Sequence, residues 1–393
     1  MKRLGLMLAA AALLFAAPVC AEEYAVEKGY LRVEINGRPW RLETRIVKRT
    51  DLTGKLPIAL ITHGSADSPA QRLNQHASSL EAQAKDLAWR GYLAVAVMRR
   101  GFGSSDGPMP EPTNCPVKTY LNRFNSDADD LQAALVAIAK RPDADPETIV
   151  AVGVSAGGPA LIALGARNPK GLKGIVNISG GLVSLSCPNE DALVDAFRTF
   201  NARNRVPQLW AYAANDSLFG PGLVDRLRNA SLDGGGDVKL IRYENMGRDG
   251  HDIFSTPDGR FAWLAEMDGF LRANQLPTWK YSEVARLMDV LKFKPTDRTF
   301  LESYMIAPTF KAMARSASGA TRRYFYNALT VEGVRSSALS ACNTKPEDPC
   351  EIVMENGAIV ASWTKPAENV PGPAQGNATQ SREPATPSTT GAP

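Results

Sequence analysis

The chain has 393 residues, of which 44% are hydrophobic and 22% charged, and its formal net charge is +4. This balance is typical of a globular protein with a sizeable core, and the length allows one large domain and a smaller one. Because the charge is small and no basic stretch is interleaved with aromatic residues, we expect no nucleic-acid or membrane-surface partner.

The amino end has the pattern of a secretory signal peptide over residues 1–21. Two basic residues precede an apolar stretch from Leu4 to Val19, and a cleavage point follows at Ala21. A retained membrane anchor is one alternative, but the stretch is shorter than about 18 residues. Lipid attachment at Cys20 is another, although the residues before it lack the small side chain that such a cut prefers. The sequence therefore predicts a periplasmic or secreted protein with no stable membrane insertion after cleavage.

Four cysteines follow the signal peptide, namely Cys115, Cys187, Cys342 and Cys350. An even number in an exported chain predicts disulfides, with three alternative pairings. Cys342 and Cys350 bracket a short loop and are expected to pair, which leaves Cys115 for Cys187. No Cys-x-x-Cys motif is present and the chain has only three histidines, so no metal site is expected.

Buried strands and helices alternate along residues 24–275. A hairpin is predicted over 24–47, because Asn36-Gly37 separates two alternating segments. The alternation that follows predicts a mostly parallel, doubly wound sheet, which binds ligands beyond the carboxyl ends of its strands. The predicted strands are 56–62, 92–98, 148–154, 172–178, 207–212 and 238–243, and the predicted helices are 72–90, 127–140, 159–164 and 261–273.

The alternation of buried strands and helices ends near Leu276. We expect a helical linker over 276–308 and a small α+β module over 309–362, with two strands, a helix and a further strand. The tail 366–393 consists mainly of Pro, Ala, Gly, Thr, Ser and Gln. Such a composition cannot bury enough apolar surface to fold, so this tail is predicted to be disordered.

Ser155 is the candidate nucleophile. It lies in the pattern Gly-x-Ser-x-Gly, between a β-branched strand and a helix, where a sharp turn exposes a serine hydroxyl. A tight structural turn is the alternative interpretation. Residues 103–107 match the same pattern but precede a proline-rich segment, which cannot begin a helix of any length. The context therefore favours Ser155.

His251 is the candidate base that would activate this serine. It follows the last predicted strand in a glycine-punctuated loop, at the same sheet edge as Ser155. His76 is predicted to face solvent from within the first helix, and His63 is interpreted as structural packing.

Asp216 is the candidate carboxylate that orients the base, because it follows a strand end and gives the chain order Ser, Asp, His. Its rivals are Asp249 and Asp252, and a helix cap is the alternative role for Asp216 itself. The oxyanion donors are expected to be the main-chain amides of Ala156 and Ser65.

Together these residues resemble the α/β-hydrolase superfamily, in the branch of dienelactone-hydrolase-like esterases and prolyl-oligopeptidase-like peptidases. The resemblance implies an α/β-hydrolase domain over 24–275, the triad roles given above and no cofactor. Dienelactone hydrolases have a cysteine where this chain has Ser155, so we do not expect a muconate-cycle substrate. No propeller domain is present, so size-gated access of peptides is not expected. The matching motifs are Thr62-His63-Gly64-Ser65, Arg99-Arg100-Gly101-Phe102-Gly103-Ser104-Ser105-Asp106-Gly107, Gly153-Val154-Ser155-Ala156-Gly157-Gly158, Asn215-Asp216 and Gly250-His251.

The sequence thus predicts an exported serine esterase that acts on small-molecule esters. Segments of about 103–124 and 180–206 are expected to form a cap over the site. An exopeptidase or amidase is the first alternative. The second is a non-catalytic cell-envelope binding protein, whose C-terminal module, similar to small disulfide-closed modules of exported bacterial proteins, would bind an envelope partner.

Overall fold

The computed structural model describes residues 23–66, 68–108, 117–183 and 189–360. The predicted signal peptide, Cys115 and Cys187 with their predicted pairing, and the predicted tail all lie outside the described residues. Parts of both predicted cap segments lie outside them as well.

An eight-stranded sheet forms the centre of the larger part of the protein. Its strands run in the order β1-β2-β4-β3-β5-β6-β7-β8, and β2 pairs with β1 and β4 in antiparallel fashion, whereas all other pairings are parallel. The carboxyl ends of β3 to β8 therefore meet at one edge, where ligands bind in such sheets. The strands are β1 Tyr24–Ile35, β2 Arg38–Arg49, β3 Leu56–Thr62, β4 Leu93–Val97, β5 Ala144–Val154, β6 Leu172–Ile178, β7 Gln208–Ala213 and β8 Val238–Tyr243.

Helices cover both faces of this sheet. The central strands are buried on both sides, because Ile58 and Leu60 pack into one apolar cluster while Ala59 and Ile61 pack into the other. This alternation follows from the two-residue period of a strand. The helices are α1 Pro69–Asn74, α2 Glu81–Trp89, α3 Val117–Ile138, α4 Gly157–Gly165, α5 Glu190–Asn201, α6 Pro221–Asp233 and α7 Pro257–Ala273.

The helix predicted over 72–90 is broken, so the placement of His76 inside a helix was wrong. His76 lies between α1 and a 3₁₀ turn, Ala77–Leu80, with extended backbone. The carboxylate of Glu43 accepts the amide of Ala77 and contacts the His76 ring at 3.0 Å. A continuous helix would need that amide for its own ladder, so the contact with β2 ends α1.

A separate four-stranded antiparallel sheet lies in the carboxyl-terminal part, with the order β10-β9-β11-β12. The predicted disulfide between Cys342 and Cys350 is present and joins the end of α10 to the start of β11. The elements are α8 Tyr281–Val290, α9 Arg298–Ile306, β9 Lys311–Ser316, β10 Arg322–Tyr326, α10 Val331–Cys342, β11 Cys350–Glu355 and β12 Ala358–Ile359.

Buried polar contacts join this small sheet to the main domain. Asp86 on α2 pairs with Arg260 on α7 at 2.6 Å and accepts the amide of Thr309 at 2.8 Å. The indole of Trp89 donates to the carbonyl of Asn356. The module therefore rests on α2 and α7. No helix in the described ranges is long and apolar enough to cross a membrane.

Candidate active site

Ser155 occupies a strained turn between β5 and α4. Its φ is +51°, in the left-handed region that non-glycine residues rarely adopt. The turn is close to the end of β3, since a Cβ on Gly157 would lie 2.6 Å from the carbonyl oxygen of His63. Only glycine fits there, which explains the sequence pattern around the serine.

Ser105 belongs to the second Gly-x-Ser-x-Gly match, at residues 103–107, and has a structural role. The hydroxyl of Ser105 accepts the amide of Glu43 and donates to the carbonyl of Met98, both at 2.8 Å. Ser105 therefore ties the turn after β4 to β2.

His251 and Asp216 are in contact. The Nδ1 atom of His251 lies 3.1 and 3.2 Å from the two carboxylate oxygens of Asp216. The Asp216 side chain is fully buried, and its Oδ1 also accepts the amides of Leu218 and Phe219. A carboxylate held in this way keeps the proton on Nδ1 and leaves Nε2 able to accept one.

The two rival carboxylates are placed differently. Asp249 accepts the hydroxyl of Ser217 and the amide of His251, and so caps the 3₁₀ turn that carries the histidine. The Ser217 hydrogen bond lowers the pKa of Asp249. Asp252 is exposed, and its carboxylate makes no hydrogen bond or ion pair with the residues that the structure describes.

His63 has both ring nitrogens engaged. Its Nδ1 donates to the carbonyl of Gly64 at 2.6 Å, and its Nε2 accepts the amide of Arg99 at 3.0 Å. Burial, together with the charge of Arg99, holds the pKa of His63 well below its usual value. The ring is thus a neutral structural group.

Arg99 has a role that its sequence motif does not reveal. Its buried guanidinium donates to the hydroxyl of Thr62 and the carbonyl of His63, both at 2.8 Å, and to the carbonyl of Gly64 at 3.2 Å. Its Nε lies 3.3 Å from Asp127 on α3. Arg99 therefore holds the loop after β3 against the sheet.

Two main-chain amides near Ser155 are available as donors. Neither Ser65 nor Ala156 donates its N–H to another group within the described part of the chain. Ala156 is fully buried and directly precedes α4, where the helix dipole favours negative charge. These are the properties that an oxyanion site requires.

A cavity of about 580 Å³ opens at this sheet edge, and its walls include Ser65, Ser155 and His251. Asp216 lies behind the histidine, and Ala156 is not part of the cavity wall. In the ranges described, no hydrogen bond joins the Ser155 hydroxyl to the imidazole; this contact is often long in unliganded enzymes. The described residues contain no group of three or more His, Cys, Asp or Glu side chains placed to hold a metal ion.

Comparison with known proteins gives one family match. Residues 70–188 match the family described as Hydrolase_4, serine aminopeptidase S33. No curated protein sequence matches the chain.

Similar solved structures include two esterase-type hydrolases and a peptidase. An esterase of Pyrococcus furiosus has 15% identity and a TM-score of 0.44, covering 63% of this chain and 90% of its own. A dienelactone hydrolase-like promiscuous phosphotriesterase from metagenomic libraries has 18% identity and a TM-score of 0.42, with 57% and 82% coverage. Dipeptidyl peptidase 4 of Porphyromonas gingivalis has 18% identity and a TM-score of 0.48, with 63% and 36% coverage.

Three features of the structure agree with this family match. They are the order of the eight strands, the helices on both faces of the sheet and the strained serine turn after β5. The protein therefore has an α/β-hydrolase fold and carries a separate small antiparallel sheet at its carboxyl end.

Proposed function

We propose that the protein is a serine hydrolase that cleaves carboxylic esters through an acyl-enzyme. The observation that carries this proposal is the Asp216–His251 pair, whose histidine shares one cavity wall with the strained Ser155. This is the arrangement that serine hydrolases need.

In the first step, the Ser155 oxygen attacks the ester carbonyl while His251 takes the hydroxyl proton. The amides of Ser65 and Ala156 stabilise the oxyanion. His251 then protonates the alcohol as its bond to the carbonyl carbon breaks. In the second step, His251 takes a proton from water, which attacks the acyl carbon. The imidazolium then gives that proton to the Ser155 oxygen as the bond between this oxygen and the acyl carbon breaks, and the acid is released. Asp216 holds the imidazole in one tautomer throughout.

Amide cleavage is the second candidate, because the matching family is described as serine aminopeptidase. We favour esters because no described feature provides for the extended strand or the charged end of a peptide. The experiment compares p-nitrophenyl esters of two to eight carbons with aminoacyl p-nitroanilides.

We expect ester hydrolysis by the wild type and a loss of about 10⁴-fold or more in Ser155→Ala. Hydrolysis of anilides in preference to esters would favour the peptidase. Equal ester hydrolysis by wild type and Ser155→Ala would overturn the proposed mechanism.

We further propose that the protein is exported, on the basis of the amino-terminal pattern. Amino-terminal sequencing of the protein from the periplasm or the medium should then start at Glu22. A chain that still starts at Met1 would contradict export by this signal.

A further inference from the structure

The cavity beside Ser155 has polar and apolar walls, and Ala66, Leu80, Val154 and Phe254 form the apolar part. Three carboxamide side chains, Gln71, Asn74 and Gln75, line it, as do the hydroxyl residues Ser79 and Ser255. The carboxylate of Asp252 lines it too, whereas no lysine or arginine does so among the described residues. These groups offer many neutral hydrogen-bond partners and no positive charge.

The alcohol half of an ester would occupy this cavity. His251 must protonate the departing alcohol, so the alcohol lies on the imidazole side of Ser155. The segment directly after the imidazole forms one wall of the cavity, through Asp252, Phe254 and Ser255. The carboxamides therefore face the alcohol rather than the acyl chain.

The carboxamides come from α1 and the residue that follows it. No residue of α1 is buried, so this short helix presents its side chains to the cavity and to solvent rather than to the core. The Oε1 atom of Gln75 is screened from solvent and accepts no hydrogen bond from the described residues. Because Gln75 lines the cavity, a rotation of its carboxamide would bring this unpartnered acceptor to a ligand hydroxyl.

We propose that the alcohol is a polyhydroxylated group such as a sugar, so that the enzyme removes acyl groups from carbohydrate hydroxyls. This inference rests on the proposed esterase function. Carboxamides can both donate hydrogen bonds to neighbouring hydroxyls and accept them, and a carboxylate can accept them. An alkyl alcohol would instead desolvate these groups without replacing their hydrogen bonds. An anionic alcohol would face Asp252 with no compensating lysine or arginine among the described residues that line the cavity.

The experiment compares acetate esters that differ only in the alcohol. Glucose 6-acetate and cyclohexylmethyl acetate both carry the ester on a methylene beside a six-membered ring, and acetylcholine adds a cationic alcohol. We expect the wild type to have at least tenfold higher kcat/KM for the glucose ester than for either of the others. Gln75→Leu should lower the ratio of glucose ester to cyclohexylmethyl ester about tenfold.

The matched control is Gln132→Leu, because Gln132 lies on α3 and pairs with Arg167 away from the cavity. It should leave the ratio unchanged. A preference for the cyclohexylmethyl ester or for acetylcholine, with p-nitrophenyl acetate still hydrolysed, would overturn the sugar inference but not the esterase function. Failure to hydrolyse any ester, p-nitrophenyl acetate included, would instead refute the esterase function.

Discussion

Asp216 is the carboxylate proposed to orient His251, and a substitution at this residue tests that role. In Asp216→Asn the oxygen that accepts the amides of Leu218 and Phe219 can stay in place. The new NH₂ group would replace Oδ2, which lies 3.2 Å from Nδ1 of His251, and the negative charge that stabilises the imidazolium would be lost. We expect kcat for an ester to fall about 10⁴-fold while the fold is retained, as circular dichroism would show.

Asp249→Asn is the matched control, since Asp249 contacts Ser217 and the backbone amide of His251 rather than its ring. Its kcat should stay within about tenfold of the wild type. A larger loss in Asp249→Asn than in Asp216→Asn would show that the wrong carboxylate has been assigned.

Arg99 is a positioning residue, because it contacts the loop that carries Ser65 and does not line the cavity. In Arg99→Met the carbonyl of His63 loses the Arg99 donor and the carbonyl of Gly64 keeps only the His63 ring, so the amide of Ser65 can move. We expect kcat to fall about 10²-fold with little change in KM, since the oxyanion forms only in the transition state. An unchanged kcat in a folded Arg99→Met variant would show that this loop holds its position without Arg99.

At the scale of elements, the contact between the serine turn and β3 depends on Gly157. A Cβ at this position would lie 2.6 Å from the oxygen of His63 and 2.9 Å from that of Thr62. Backbone must therefore move in Gly157→Ala, which we expect to cost about 1–3 kcal/mol of unfolding free energy and to lower kcat.

Gly269→Ala provides the comparison, because Gly269 lies within α7 and a Cβ there meets no atom within 4 Å. In a helix this change should stabilise the protein by about 0.5–1 kcal/mol. Chemical denaturation of both variants tests this difference, and equal stability of the two would contradict the close contact at Gly157.

At the scale of the whole molecule, Glu23 lies where the amino-terminal strand meets the small module, next to Asn356. Burial raises the pKa of Glu23 to about 7, against the opposing hydrogen bond from Asn356. Because the folded-state pKa exceeds the unfolded value of 4.5, the stability contributed by Glu23 is complete below pH 4.5 and is lost as the pH rises through 7.

The isosteric Glu23→Gln variant removes this titration. Relative to the wild type, it should gain on the order of 1 kcal/mol in unfolding free energy between pH 4 and pH 8, an amount discounted for partial exposure. Glu147→Gln, at an exposed pair with Lys170, should change by less than about 0.5 kcal/mol over the same range. A parallel pH dependence for Glu23→Gln and the wild type would contradict the shift.

Local chemistry explains which parts of the fold were predictable. The hairpin at Asn36-Gly37 and the turn at Ser155 depend on neighbouring residues, so the sequence pattern predicts both. The break at His76 depends on Glu43, a residue 33 positions away. The position of the small module depends on the hydrogen bond between Trp89 and Asn356, which are 267 positions apart. No local sequence pattern contains such a contact.

The sequence likewise predicts some residues of the candidate site and not others. Strand ends and glycines point to Ser155 and His251, because parallel strands bring their carboxyl ends to one edge. The contacts of Arg99 and the orientation of Gln75 are set by packing between distant elements, and their residue types carry no signal for either role. The roles of the triad residues and the limits of the domains stay predictions.

Ser155 is proposed to be an activated nucleophile, and a reactive electrophile tests this proposal. The most direct measurement is labelling with a fluorophosphonate probe, followed by peptide mapping of the adduct. We predict one adduct, on Ser155, that is lost in Ser155→Ala and retained in Ser105→Ala. Equal labelling of wild type and Ser155→Ala, or an adduct on another serine, would show that Ser155 is not the activated nucleophile.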